Sequence, residues 1–400
     1  MFWFKILIYF FCFTLFSYSK TRIIFNNRAI AEIKPLKSLE IPQKDPLLPS
    51  SNLERDLSSF EIKRIKEEII NLDKQAKQKL QEGQAREAFE LWFRQLRLYR
   101  AIGLTPEIIA LGNIGEIAWQ NNRRNELKVI NRRLDDIYLE QQKNRFADVE
   151  IIDWLAIALQ KNRNFNKAIS VYKILLEKAK IEGNPSLEKK YLVSLGDLYL
   201  SKFDYTQAAT IYENLVFGDR YNITPENYEI YLLKLIDIYG YTKQPKQSVI
   251  VKQKLIDRYR AARKNALIGK IKLSLAKDYR ALEEYALAIT NYQEAVYIGK
   301  SLQQLALASE ALENLGSLYQ QQEQYSLAIE TYQEWLELEL EADNSYGVMN
   351  GYKQIGQLYL TLEEYQKAAI AFNRGLEIAR LLDYQVGEFT SLIDKVKTKL

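Results

Sequence analysis

A chain of 400 residues with 47% hydrophobic and 27% charged residues is too long for one ordinary core, so several domains or a repeat array is expected. Its net charge of +5 is too modest for a protein devoted to neutralising nucleic-acid phosphates. There is no histidine and a single cysteine, Cys12, which excludes Ser-His-Asp and Cys-His nucleophiles, Cys/His zinc sites and any intramolecular disulfide.

The chain opens with MFWFKILIYFFCFTLFSYS (1–19), apolar apart from Lys5. Ser17 and Ser19 put small residues at the −3 and −1 positions of a signal cleavage site. The competing reading is an uncleaved anchor of about eighteen residues, able to span if Lys5 snorkels. Lys20, Arg22, Arg28 and Lys34 follow, against Glu32 alone. Cations after a cleavage site hinder export, and the positive-inside rule keeps such a flank in the cytoplasm. The expectation is a membrane anchor with the body on the cytoplasmic side; a periplasmic or secreted body after cleavage is the alternative. Cys12 follows Phe10 and Phe11, unlike a lipoprotein processing site, and reads as a small hydrophobe. Residues 20–57 hold four of the eight prolines, Pro35, Pro42, Pro46 and Pro49, and read as an extended tether.

From residue 58 a repeat takes over. LSLAKDYRALEEYALAITNYQ (273–293), ENLGSLYQQQEQYSLAIETYQ (313–333) and KQIGQLYLTLEEYQKAAIAFN (353–373) share one skeleton. Its small fourth position recurs at Ala76, Gly115, Ala156, Gly196, Ile236, Ala276, Gly316 and Gly356, a period of about forty residues that means a solenoid. Each unit carries two amphipathic helices joined by a short polar turn. A second small position follows twelve residues later, at Ala88, Leu127, Ala168, Ala208, Ser248, Ala288, Ala328 and Ala368. Glycine inside a helix costs about 1 kcal/mol against alanine, so small residues there point to close helix approach. One turn further come Trp92, Tyr172, Tyr212, Tyr292, Tyr332 and Phe372, placed to plug the gap. With Tyr199, Tyr239, Tyr279, Tyr319 and Tyr359 on the first helices, they make the tyrosine richness a matter of packing. Two units depart: one has Leu127 and Asn131, the other Pro245, Ser248 and Lys252, at these positions.

LGDLY (195–199), LGSLY (315–319) and IGQLY (355–359), with the AIETY and AAIAF segments, resemble the tetratricopeptide repeat, over about 69–388. The resemblance implies an all-α fold: a right-handed superhelical solenoid of about eight helix-turn-helix units. Val386, Phe389, Leu392, Ile393 and Val396 form one apolar face opposite Lys395, Lys397 and Lys399, as a C-terminal capping helix requires; its end is 389–400. A 40-residue period exceeds the family's usual 34, lengthening each helix by about half a turn to a turn. In this the chain looks like the long-helix repeats of the spindle-orientation adaptors and, less closely, kinesin light chains. In layout it is similar to membrane-anchored proteins of the family from photosynthetic bacteria.

The family pattern lines a concave groove with first-helix residues. Carried onto this sequence, it implies Glu116, Trp119 and Gln120; Asp153, Gln160 and Lys161; Asp237 and Tyr241; Lys270, Lys277 and Arg280; and Glu310, Glu313, Ser317, Gln320 and Gln321. Such a groove suits an extended or helical peptide of a protein partner. The carboxylate clamp that grips chaperone C-termini needs Lys and Asn at set positions; Lys353 fills one, but Gln357 replaces the Asn. Residues 243–280 carry twelve Lys/Arg against Asp257 and Asp278, and 281–345 carry twelve Asp/Glu against Lys300. Either neighbouring units neutralise each other, Lys277 and Arg280 with Glu310 and Glu313, or Lys270, Lys277 and Arg280 receive an acidic partner segment. The acidic block argues against RNA binding, and the repeats leave no residues for a phosphate loop or catalytic domain. The function expected is a membrane-tethered, non-enzymatic interaction scaffold, an assembly factor being one such role, with no cofactor and no metal.

Overall fold

The structure, a computed structural model, describes residues 45–48, 56–218 and 220–400. The apolar segment 1–19, Cys12 and the tether as far as residue 44 lie outside the described residues.

Seventeen helices are present among the described residues, and sixteen form eight antiparallel pairs. The pairs are α1 (Ser59–Gln81) with α2 (Ala85–Ile102), α3 (Leu104–Gln120) with α4 (Arg124–Lys143), and α5 (Val149–Lys161) with α6 (Phe165–Ile181). Then come α7 (Pro185–Ser201) with α8 (Tyr205–Phe217), α9 (Pro225–Tyr241) with α10 (Pro245–Ala261), and α11 (Asn265–Ala281) with α12 (Tyr285–Ser301). The last are α13 (Leu305–Gln321) with α14 (Tyr325–Glu341) and α15 (Ser345–Thr361) with α16 (Tyr365–Leu381), closed by α17 (Val386–Lys397). The array is the all-α solenoid of eight units and a cap that the repeat implies.

From α9 onward every paired helix is 17 residues long, about 25 Å at 1.5 Å per residue, and every turn takes three. The turns share one device. A residue in the left-handed region recurs every twenty positions, as at Lys243, Arg263, Glu283, Gln303, Glu323, Asp343, Glu363 and Asp383. At Glu323 the bonds are those of a Schellman motif: Glu323 N–H donates to Gln320 C=O (3.0 Å) and Gln324 N–H to Tyr319 C=O (2.9 Å). None of these eight residues is the glycine that such a position favours.

Packing within a unit follows the small and aromatic positions. A methyl group added at Gly196 would lie 2.9 Å from the Tyr212 ring, at Gly316 2.7 Å from Tyr332, and at Gly356 2.6 Å from Phe372. The second helix's ring therefore lies directly on the first helix's glycine, and all three rings are almost wholly buried. At the C-terminal end Phe389, Ile393 and Val396 of α17 are buried, with Phe389 against Gly375, while Lys395, Lys397 and Lys399 face solvent.

The N-terminal end is closed by the described residues of the tether. Residues 45–48 form a turn, Leu48 N–H to Asp45 C=O (3.0 Å), instead of an extended strand. Leu47, Leu48 and Leu57 cover Ile65, Ile69 and Leu72, and Asp45 binds Arg94 at 2.7 Å. Burial alone would raise the Asp45 pKa. The bonds from Arg94 and the Leu47 N–H, with the Arg94 and Arg97 charges, outweigh it and hold the carboxyl below its ordinary value. Helix α1 starts at a capping box in which Ser58 and Glu61 bond reciprocally.

Candidate partner-binding surface

First helices of successive units lie side by side, and polar side chains join them across the seams. Lys161 bonds Asn113 (2.7 Å) and Glu116 (3.3 Å), Lys190 bonds Asp153 (2.5 Å), and Lys234 bonds Asp197. Lys277 pairs with Glu310 at 2.6 Å, and Lys353 with Glu388 at 3.4 Å. Arg280 donates to Gln321 (2.7 Å) and Ser317 (3.2 Å). Tyrosine plugs reach the same face: the Tyr212 hydroxyl donates to Asp197 (2.6 Å), and burial, then that bond, pushes its pKa far up.

The residues assigned to the groove thus divide. Asp153, Lys161, Lys277, Arg280 and Glu310 are engaged with the next unit, so Lys277 and Arg280 are not a free basic pair. Of the two neutralising contacts expected across that seam, Lys277 to Glu310 forms; Arg280 takes Gln321 and Ser317 instead of Glu313. Glu313 is exposed, and partial desolvation, then the neighbouring Glu310 and Glu339, hold its pKa above the usual range. Lys270 and Gln120 are exposed and Gln320 is half-buried; Lys270 makes no ion pair among the described residues. Two of the assigned residues are aromatics that stand out of the core. Tyr241 is 70% exposed and stacked on Tyr205 at 5.1 Å, and Trp119 is 51% exposed with the Arg163 guanidinium over its ring at 5.8 Å. Trp119 and Lys161 belong to the α3–α5 end, Tyr241 to α9, and Lys277, Arg280, Glu310 and Glu313 to the α11–α13 seam.

Trp119 also borders a feature that the regular units lack. In the second unit Asn131 stands where a ring belongs, and no aromatic covers Gly115. Asn162, from the end of α5, packs there instead, and Ala158 closes on Gly112 with 3.1 Å between its Cβ and a methyl added there. Beside it, where Leu127 and Asn131 stand at the small and ring positions, lies a cleft of about 600 Å³ between α3 and α4. Ala118, Leu127 and Trp119 supply its apolar lining, with Arg123, Arg124, Lys128 and Arg132 around it. Arg123 is held by Glu126 and lies over Phe89, whereas Lys128 forms no ion pair among the described residues. The Asn131 Oδ1 at the cleft is buried and accepts no hydrogen bond among the described residues. The sequence signalled this place by its two missing repeat residues, Leu127 and Asn131, but not that their absence leaves a space, nor that Arg124, Lys128 and Arg132 line it.

Helix pairs stacked with a small residue under a ring in unit after unit define the class, a helical-repeat solenoid. Residues 307–380 match the family model for the tetratricopeptide repeat, and the other units repeat the same geometry. Residues 307–380 thus carry tetratricopeptide repeats, and the array around them has the helical-repeat fold of a protein-interaction scaffold. No curated protein matches it. Among solved structures, BtubC (BKLC) from P. vanneervenii is similar at 18% identity over 55% of this chain and 92% of that one, with a TM-score of 0.38. Aspartyl phosphate phosphatase F from Bacillus subtilis is similar at 17% identity, over 71% and 78%, with a TM-score of 0.42. A signal transduction ATPase with a tetratricopeptide repeat sensor, from Pyrococcus horikoshii, is similar at 16%, over 79% and 51%, with a TM-score of 0.42.

Proposed function

We propose that this chain is a non-enzymatic adaptor, tethered to a membrane by residues 1–19, that holds a segment of a partner protein in the cleft between α3 and α4 and along its first-helix face. The observation that carries the reading is the cleft beside Trp119. In the regular units a ring stands at the position of Asn131; here the cleft, its aromatic rim and Lys128, which forms no ion pair among the described residues, are open to another chain. An apolar or aromatic side chain of the partner enters the cleft, and a backbone N–H satisfies the Asn131 Oδ1. Acidic residues beside that anchor meet Arg124 and Lys128. The exposed Tyr241 supplies a second apolar contact further along the array.

The test is photo-cross-linking in the native membrane, with a benzophenone amino acid at 119, at 128 or, as a control on α8, at 207. Adducts with one partner from 119 and 128 but not from 207 are expected; adducts from neither cleft position would overturn the reading. Tethering is tested separately, by alkaline extraction of membranes and the mass of the mature N-terminus. An intact N-terminus that stays with the membrane fits the anchor. A chain beginning at residue 20 in the soluble fraction fits export after cleavage.

A further inference from the structure

The outer face formed by the second helices carries a pattern that partner capture does not use. Three adjacent helices, α10, α12 and α14, differ sharply in what they expose. Helix α10 bears Lys246, Lys252, Lys254, Arg258 and Arg260 against Asp257 alone; Lys246, Lys254 and Arg260 face solvent, around an Ile250 that is 53% exposed. Helix α14 bears five glutamates and no lysine or arginine, with Glu330, Glu334, Glu337 and Glu341 exposed along one stripe. Between them α12 exposes the uncharged Leu287, Thr290, Gln293 and a Tyr297 that is 75% open, with Lys300 at its C-terminal end neutralised by Glu334. A groove of about 720 Å³ runs beside Tyr297, floored by Leu312, Leu315 and Tyr319 and walled by Leu327 of α14.

A surface with an apolar centre, a basic flank and an acidic flank is self-complementary under one operation. A two-fold axis along the length of α12 lays α12 on its own copy, α10 on the other copy's α14, and α14 on the other copy's α10. The same axis keeps the facing helices parallel, so residues equivalent in the repeat meet at one level. Eighty residues separate equivalent positions of α10 and α14, which puts Lys254 opposite Glu334 and Arg260 between Glu337 and Glu341. Among the described residues, only Glu334 of the exposed α14 row is already in an ion pair, with Lys300 at 2.6 Å. We infer that the occupant of this face is a second copy of the chain, and that the protein forms a back-to-back two-fold dimer through α10, α12 and α14. Each copy's first-helix face stays open, so one dimer presents two partner-binding surfaces.

The experiment is sedimentation equilibrium of the full chain in a density-matched non-ionic detergent. Three variants are compared with wild type: Tyr297→Asp; Lys246→Glu with Lys254→Glu and Arg260→Glu; and Glu330→Lys with Glu334→Lys and Glu337→Lys. Wild type is expected at twice the chain mass, weakened by salt as a charge-ringed interface must be. Tyr297→Asp places two carboxylates at the axis, and each triple variant sets like charges against each other. All three are expected to raise the dimer dissociation constant at least tenfold. Mixing the two triple variants restores opposite charge at both flanks, so the mixture is expected to dimerise where neither component does. That rescue also shows that both variants are folded. A monomeric wild type, triple variants that dimerise like wild type, or a mixture that stays monomeric would each overturn the inference. Because no partner protein is present, the result does not depend on the cleft.

Discussion

The second and fifth units have each lost the ring that plugs a regular unit, and they replace it in opposite ways. In the fifth, Lys252 takes the ring's place, is 4% exposed, and reaches Asp278 of the next unit at 2.6 Å and the Ser274 carbonyl at 3.2 Å. Burial lowers the Lys252 pKa and the Asp278 carboxylate opposes that shift. In the second unit Asn131 is too short to reach across, so α5 settles on α3 and a space opens over α4. A long side chain that can carry its charge to a partner seals a joint; a short polar one leaves a site. Both are departures from one repeat, and only the reach and chemistry of the substituted side chain separate them.

The comparison can be broken at several points, taken here from the largest effect. Asp278→Ala removes the carboxylate that pairs with Lys252 and is expected to cost about 3 kcal/mol in urea unfolding at neutral pH. The variant should recover with rising pH. Its Lys252 has a folded pKa below the unfolded value of 10.5, so between the two the unfolded chain holds more protons, and stability climbs. A loss no larger than that of a surface substitution would show that the buried pair does not seal the joint.

Next, Gly316→Ala drives a methyl group into the Tyr332 ring and is expected to cost about 2 kcal/mol. Gly115→Ala meets only the amide end of the Asn162 side chain, which can turn aside where a packed ring cannot, and is expected to cost less than about 1 kcal/mol, because helix propensity offsets part of the crowding. Equal losses in thermal unfolding would mean that the second unit is packed like the regular ones. The smallest effect belongs to the turns. Glu323→Gly relieves a left-handed residue and is expected to stabilise by about 0.5 kcal/mol, whereas Glu323→Val destabilises. The midpoint of urea unfolding reads both.

Much of this was legible because the solenoid writes its packing into a fixed period. The small residue and the ring, twelve and then four positions apart, gave the eight units, the capping face of Phe389, Ile393 and Val396, and the first-helix positions of Lys277 and Glu310. What was not legible depends on geometry that the period does not encode. No glycine marks the left-handed turns, so Glu323 or Asp343 reads as an ordinary polar residue. The docking of Asp45 depends on Arg94, a contact 49 residues away that no local pattern announces. Arg280 turned to Gln321 and Ser317 rather than to a carboxylate, since first-helix spacing sets which side chains are near but not which of them bond. Asn131 was visible as a departure, yet whether a missing ring leaves a collapse, a buried charge or a cleft is decided by how neighbouring helices relax.

The central claim is that the partner fills the cleft that the repeat left empty. It is tested most directly by Asn131→Tyr, which puts a ring into the cleft, in the chain that carries the cross-linking amino acid at position 128. The account predicts a protein more stable by about 1 kcal/mol, from the added apolar burial, whose partner adduct falls at least tenfold. A stabilised variant that cross-links as well as the parent would contradict it.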